Sequence, residues 1–155
     1  MTSCPCGSQC NYASCCGKYL EGNRVPVTPE ELMRSRYTAY SLANIPYVKK
    51  TMRGKPLAGF NEKEAEHWAK NVVWIGLRVV NTSLEEDVGY VEFIAQFMES
   101  HYLRSIHENS VFHKHEGAWF YVDGVQQPTK KVVISRNMSC PCGSQKKFKN
   151  CHAKR

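Results

Sequence analysis

Two stretches, one at each end of the chain, repeat one another. Cys4-Pro-Cys6-Gly-Ser-Gln is followed, after an eight-residue spacer from Cys6, by Cys15-Cys16; Cys140-Pro-Cys142-Gly-Ser-Gln is followed, at the same spacing, by Cys151-His152. An aromatic, Tyr12 or Phe148, stands three residues before the third position in each copy. An internal repeat of this kind fixes the reading of everything between its copies. Each copy offers four soft donors, the ligand sets of a closed tetrahedral zinc site. Proline stiffens the turn between the first two donors, and Gly-Ser lets the chain reverse toward the second pair. Pieces this short cannot bury a core, so metal binding would supply their folding free energy. Two structural zinc ions are therefore expected, held by Cys4, Cys6, Cys15 and Cys16 and by Cys140, Cys142, Cys151 and His152. Disulfides, a redox pair in the C-P-C turn, or metal in one copy alone are the competing chemistries for an even cysteine count. Cys10 stands outside both sets, where the other copy has Lys146, and reads as a spare thiol.

At 155 residues the chain has room for one ordinary domain between two small appendages. The divisions expected are a finger over 1–20, an α+β body over 25–127 and a basic finger over 136–155. Thr28-Pro29-Glu30-Glu31 reads as N-cap, first helical residue and capping box of a helix running to about Ala43. Pro46 permits a short helix over Tyr47–Met52, the stretch from Arg53 to Gly59 reads as loop, and Asn61 with Glu64 caps a helix to about Lys70. From Val72 the period changes to two. Strands are expected over Val72–Asn81, Val88–Met98, Tyr102–Lys114 with a bulge, and Ala118–Val122, ended by Asp123-Gly124. An edge strand can follow at Lys131–Ile134. On the second strand Gly89, Val91, Phe93, Ala95 and Phe97 make an apolar face, and Glu92 and Gln96 mark the other. Helices followed by antiparallel strands give an α+β fold class.

Charge is concentrated at one end. The net charge is +7, and Arg136, Lys146, Lys147, Lys149, Lys154 and Arg155, with no acid among them, leave +1 for the other 135 residues. Counting ionised thiolates and zinc, the body with its first finger stands near −1 and the last segment near +5. Such a tip attracts phosphate or an acidic protein surface through salt-sensitive steering. Arg136, Lys146, Lys147, Lys149 and Lys154 are its candidate contacts. The apolar runs are too short to span a membrane. Thiol-rich ends without a secretory segment make the cytoplasm the expected location.

The C-terminal C-P-C-G-S-x-K-K-F-K-x-C-H resembles the SEC-C motif, the zinc finger at the C-terminus of the SecA translocation ATPase. Its presence at both ends resembles the bacterial YchJ family, whose middle domain is of the nuclear-transport-factor-2-like type and which has no established activity. The resemblance implies N-terminal helices packed on a curved antiparallel sheet, a cone flanked by two zinc fingers. It also implies the ribosome or a SecB-like acidic chaperone as partner; RNA contact through the basic tip is a further expectation from its charge. Where the motif has Lys-Lys, the N-terminal copy has Cys10-Asn11, so that copy reads as a structural cap.

The named fold often holds a pocket, so the alternative reading is a small-molecule-binding protein or an isomerase- or dehydratase-type enzyme. Tyr37, Tyr40, Glu92, His107 and Asp123, with Arg104 and Glu108, are the candidates to line it. A general acid/base pair needs two such groups facing one cavity, and no nucleophile, phosphate-loop or dinucleotide motif is present.

Overall fold

Thr28 starts the main helix as its sequence predicts: the Glu31 amide donates to Thr28 Oγ1 at 3.1 Å and Pro29 takes the first helical position. Only half of the expected capping box forms. The Glu31 carboxylate instead accepts the hydroxyl of Tyr19 and, at 3.4 Å, the amide of Val27, tying the connector to the helix. The computed structural model describes residues 2–154, without the side chain of Lys154. Its helices are α1 (Gly17–Leu20), α2 (Pro29–Ser41), α3 (Ile45–Lys50), α4 (Lys55–Ala58) and α5 (Glu62–Asn71). The strands are β1 (Val73–Glu85), β2 (Val88–Glu99), β3 (Tyr102–His115), β4 (Ala118–Gln127) and β5 (Val132–Val133).

Asn44 and Asn61 cap α3 and α5 through their side-chain oxygens, at 3.2 Å and 3.0 Å. Helix α4 lies in the stretch expected to be loop, where Pro56 stands in its first turn. Strands β1 to β4 form an antiparallel meander in sequence order, and β5 pairs with the start of β3, where β4 does not reach. The reversals are tight, with Glu86, Ser100 and Glu116 at positive φ. The fold is α+β with an antiparallel sheet, as expected.

The bulges sit elsewhere than predicted. β3 runs in unbroken register with β2, while β1 carries extra residues at Ile75 and Val80, and β4 at Val122. Each bulge bends its strand. β4 also continues through Asp123-Gly124, with Gly124 opposite Ser110. Gly124 serves space, not a turn: a Cβ there would lie 2.5 Å from both the Glu108 carboxylate and the Tyr121 hydroxyl.

Alternation along β2 buries Val91 and Ala95 against α2, where Leu32, Met33 and Tyr37 meet them, and Phe97 against Trp68 and Trp74. Gly89 lets α2 come close, since a Cβ there would lie 2.2 Å from the Pro29 ring. No described helix is long and apolar enough to cross a membrane.

Candidate metal centres and a cavity between helix and sheet

The two ends of the chain fold alike, bond for bond. Cys4 N donates to Cys10 O at 2.8 Å, and Cys140 N to Lys146 O at 2.8 Å. Gly7 and Gly143 stand at φ +81° and +82°, and Gln9 and Gln145 both at +68°. The glycines supply the left-handed turn after each C-P-C without a Cβ penalty. Cys15 N and Cys151 N each return to the aromatic carbonyl at 3.0 Å. The serine of the motif has the same task twice: Ser8 Oγ lies 3.2 Å from Cys15 Sγ and Ser144 Oγ 3.4 Å from Cys151 Sγ.

These turns bring Cys4, Cys6, Cys15 and Cys16 together at one end, and Cys140, Cys142, Cys151 and His152 at the other. Within each set all donor atoms lie within 4.8 Å of one another. Cys6 and Cys15 sulfurs are 3.7 Å apart, and those of Cys142 and Cys151 3.6 Å. A disulfide would need about 2.05 Å. Metal–sulfur legs of about 2.3 Å at tetrahedral angles would separate sulfurs by roughly 3.8 Å. His152 Nδ1 lies 3.1 Å from Cys140 Sγ and 3.4 Å from Cys151 Sγ. Donor chemistry and spacing thus fit a four-coordinate metal at both ends. Crowding already divides the thiols: the hydrogen bond with Cys16 lowers Cys6 to about 4, while the same contact pushes Cys16 up. Cys142 falls to about 7, chiefly through Ser144. Cys10 is exposed and outside the set.

The two centres are mounted on opposite faces of the sheet. Cys4, Cys6 and Cys16 belong to the main core with Leu32, Met33 and Tyr37. Arg34 Nη1 donates to Cys6 O at 2.8 Å, fastening the first finger to α2. The C-terminal finger sits on the outer face, where Val73, Met98 and Leu103 align across three strands. Phe148 is 3% exposed among Met98, Ile134 and Cys140, packed on the sheet as well as on its own finger. Lys146, Lys147 and Arg136 remain exposed, and Lys149 is half-buried. The side chain of Lys154 lies outside the described residues.

Between α2 and the inner face of the sheet lies a cavity of about 220 Å³. Of the residues predicted to line it, Tyr37 and Tyr40 do. Glu92 and His107 do not: inward Phe93 and Glu108 flank them, so alternation turns both to the outer face, where His107 Nε2 meets Glu92 Oε2 at 2.7 Å. Asp123 is exposed and caps the Gly124 amide at 2.8 Å. Arg104 pairs with Glu99 at 3.0 Å, away from the cavity. Glu108, the remaining candidate, is 7% exposed in the cavity wall. Its Oε2 accepts from Ser110 Oγ at 2.5 Å and Tyr121 Oη at 2.8 Å, and its Oε1 from Gln126 Nε2 at 2.5 Å. Arg36, also 7% exposed, reaches the same wall from α2. It is not among the residues the sequence named for the cavity, since its three-residue spacing from Met33 does not tell whether the side chain turns outward or under the sheet.

Comparison with known proteins agrees with this architecture. Residues 28–124 match the family model described as YchJ, middle NTF2-like domain, and residues 136–154 match that of the SEC-C motif. The chain is 40% identical to a UPF0225 protein of Geobacter sulfurreducens, covering 96% of each. It is 41% identical to one from Haemophilus influenzae, over 97% of this chain and 91% of that one. A SEC-C motif containing protein from Rhodopseudomonas palustris, solved in solution, superposes with a TM-score of 0.75 at 35% identity, covering 82% of this chain and all of that one. The crystal structure of a SEC-C motif containing protein from Psychrobacter arcticus gives 0.70 at 31% identity, covering 99% and 97%.

Proposed function

This chain belongs to the UPF0225 family, and we propose that it is a cytosolic, zinc-stabilised binding protein whose basic C-terminal finger docks on the ribosome. Zinc is the metal of this reading because three thiolates and an imidazole, or four thiolates, at tetrahedral spacing suit it. The observation that carries the docking is a set of cations without counter-ions. Arg136, Lys146, Lys147 and Lys149 have no carboxylate partner among the described residues, and the finger that holds them contains no acid. Lysines fixed in this way gain most from a surface of phosphates, where each contact releases a counter-ion. The likeness of residues 136–154 to the SEC-C motif supports the same direction. A SecB-like acidic chaperone would satisfy the same cations. The first finger, built into the core, serves the fold.

Co-sedimentation with ribosomes at low and moderate salt tests this, comparing the full chain with its Lys146→Glu/Lys147→Glu variant. Truncation at Ser135 would be a poor control, since Phe148 covers Met98 and Ile134. Salt-sensitive pelleting that the reversal abolishes is expected. Pelleting indifferent to the reversal would refute the basic tip as the contact. No pelleting of either form would exclude the ribosome and turn the same pair of proteins to a SecB-like partner.

A further inference from the structure

Arg36 is a buried cation with no ion pair at contact distance among the described residues. Of its three nitrogens, Nη1 alone is engaged, donating to Val48 O at 2.8 Å and Thr51 Oγ1 at 2.7 Å, while the Tyr121 ring lies 4.8 Å from Cζ. Nε and Nη2 have no hydrogen-bond partner among the described residues. Among the described residues no fully buried side-chain nitrogen is left unpaired, so these donors face open volume, and the volume Arg36 lines is the cavity. Burial lowers the pKa of Arg36, the sign of a charge taken out of water. Leaving such a charge uncompensated is costly. Glu108 offsets it only through space, with no hydrogen bond between the two. Both carboxylate oxygens are already held by Ser110, Tyr121 and Gln126, and burial together with Glu108 raises the Tyr121 pKa, which keeps that hydroxyl a donor.

Nε and Nη2 form one edge of the guanidinium plane, the fork that meets both oxygens of a carboxylate. The wall around that edge is aromatic. Tyr40, Trp68 and Trp74 stand in mutual contact, with Trp68 and Trp74 centroids 5.0 Å apart at 85°, and Phe93 and Ile106 close the sheet side. A cavity of roughly 150 Å³ accepts benzene; this one, at about 220 Å³, has space for a ring, a linking carbon and a carboxylate. The geometry points to a binding site for a small aromatic monocarboxylate, its ring among Tyr40, Trp68 and Trp74 and its carboxylate on Nε and Nη2 of Arg36. Glu108 in the same wall selects against a dianion such as a phosphate ester. The site is independent of the basic finger.

Calorimetric titration of the metal-replete full chain with phenylacetate is the test, with phenylacetamide as the uncharged isostere. Phenylacetate should bind and raise Tm, and the amide should bind at least about tenfold more weakly, the worth of a charge-assisted hydrogen-bond pair. Arg36→Met should lose at least as much. Because Arg36 also ties α2 to α3, Ala95→Leu provides a second variant: it keeps Arg36, fills the cavity from β2 and should abolish binding in a folded chain. Absence of binding by phenylacetate, benzoate and indole-3-acetate alike would overturn the assignment. So would equal affinity for acid and amide, or undiminished binding by Ala95→Leu.

Discussion

Replacing Phe148 by alanine should release the C-terminal finger from the sheet without releasing its metal. Truncating a buried phenylalanine costs about 3–5 kcal/mol, less where the site can collapse. One wall of this site is the paired sheet at Met98 and cannot follow; the other is the finger, which can. The lower end, about 3 kcal/mol, is therefore expected. That is a factor of roughly 150 in the equilibrium between docked and undocked finger. The metal site is far stronger, at about 10–16 kcal/mol for structural zinc, so its ligands stay closed. Amide exchange reads the difference directly. The Ile134 amide, which donates to His101 O at 2.8 Å beside the finger, should exchange about a hundredfold faster. Metal content measured on the same sample should be unchanged. Loss of the C-terminal metal with unchanged exchange at Ile134 would refute docking through Phe148 and return the ring to the finger's own turn.

Metal analysis of the purified chain should give two zinc ions, and Cys10→Ser should leave both in place with a stability change within about 0.5 kcal/mol. The fingers should differ in what they support: Cys6→Ser, in the main core, should lower the thermal midpoint of tryptophan fluorescence further than Cys142→Ser, since it loosens the wall behind Leu32 and Tyr37. Gly89→Ala should cost about 1–3 kcal/mol in denaturant titration, because its Cβ would meet the rigid Pro29 ring at 2.2 Å. Gly124→Ala should cost a similar amount by pressing on Glu108 and Tyr121, and a stability within error of wild type would show that β4 bends away freely.

Local chemistry was readable wherever a single residue type decides it. The caps at Thr28 and Asn61, the apolar face of β2 and both clusters of soft donors follow from spacing alone. What was hidden depends on register. A shift of one residue turns a strand's whole set of side chains over, and the bulges at Ile75, Val80 and Val122 have no compositional mark. Asp123-Gly124 misled for a specific reason: the dipeptide that ends strands here makes space for a carboxylate on the neighbouring strand. Glu92 and His107 showed the same limit from the other side, since titratable groups on adjacent strands met on the outer face and not in a cavity. Arg36 was invisible as a cavity group because nothing in a helical stripe tells whether a flanking arginine turns outward or under the sheet.

The repeat itself explains how one device can serve two ends. Backbone, glycine turn and serine contact are the same in both copies, so the motif fixes shape and leaves the variable positions free. Where the C-terminal copy has Lys146-Lys147, the N-terminal copy has Cys10-Asn11. The first copy sits on α2 through Arg34 and supplies Cys4 and Cys6 to the core, and two lysines facing the solvent there would add nothing to that packing. The second anchors through Phe148 and keeps its cations outside. The division lies in the anchoring: the first copy packs through its cysteines against α2, and the second through Phe148 on the outer face. Exchanging the two dipeptides would therefore separate metal binding from docking. A chain with Lys-Lys at 10 and 11 and Cys-Asn at 146 and 147 should hold two metals, stay folded, and lose or relocate its salt-sensitive partner binding. If binding instead survived the exchange unchanged, the charge of the finger tip would not be what the partner reads.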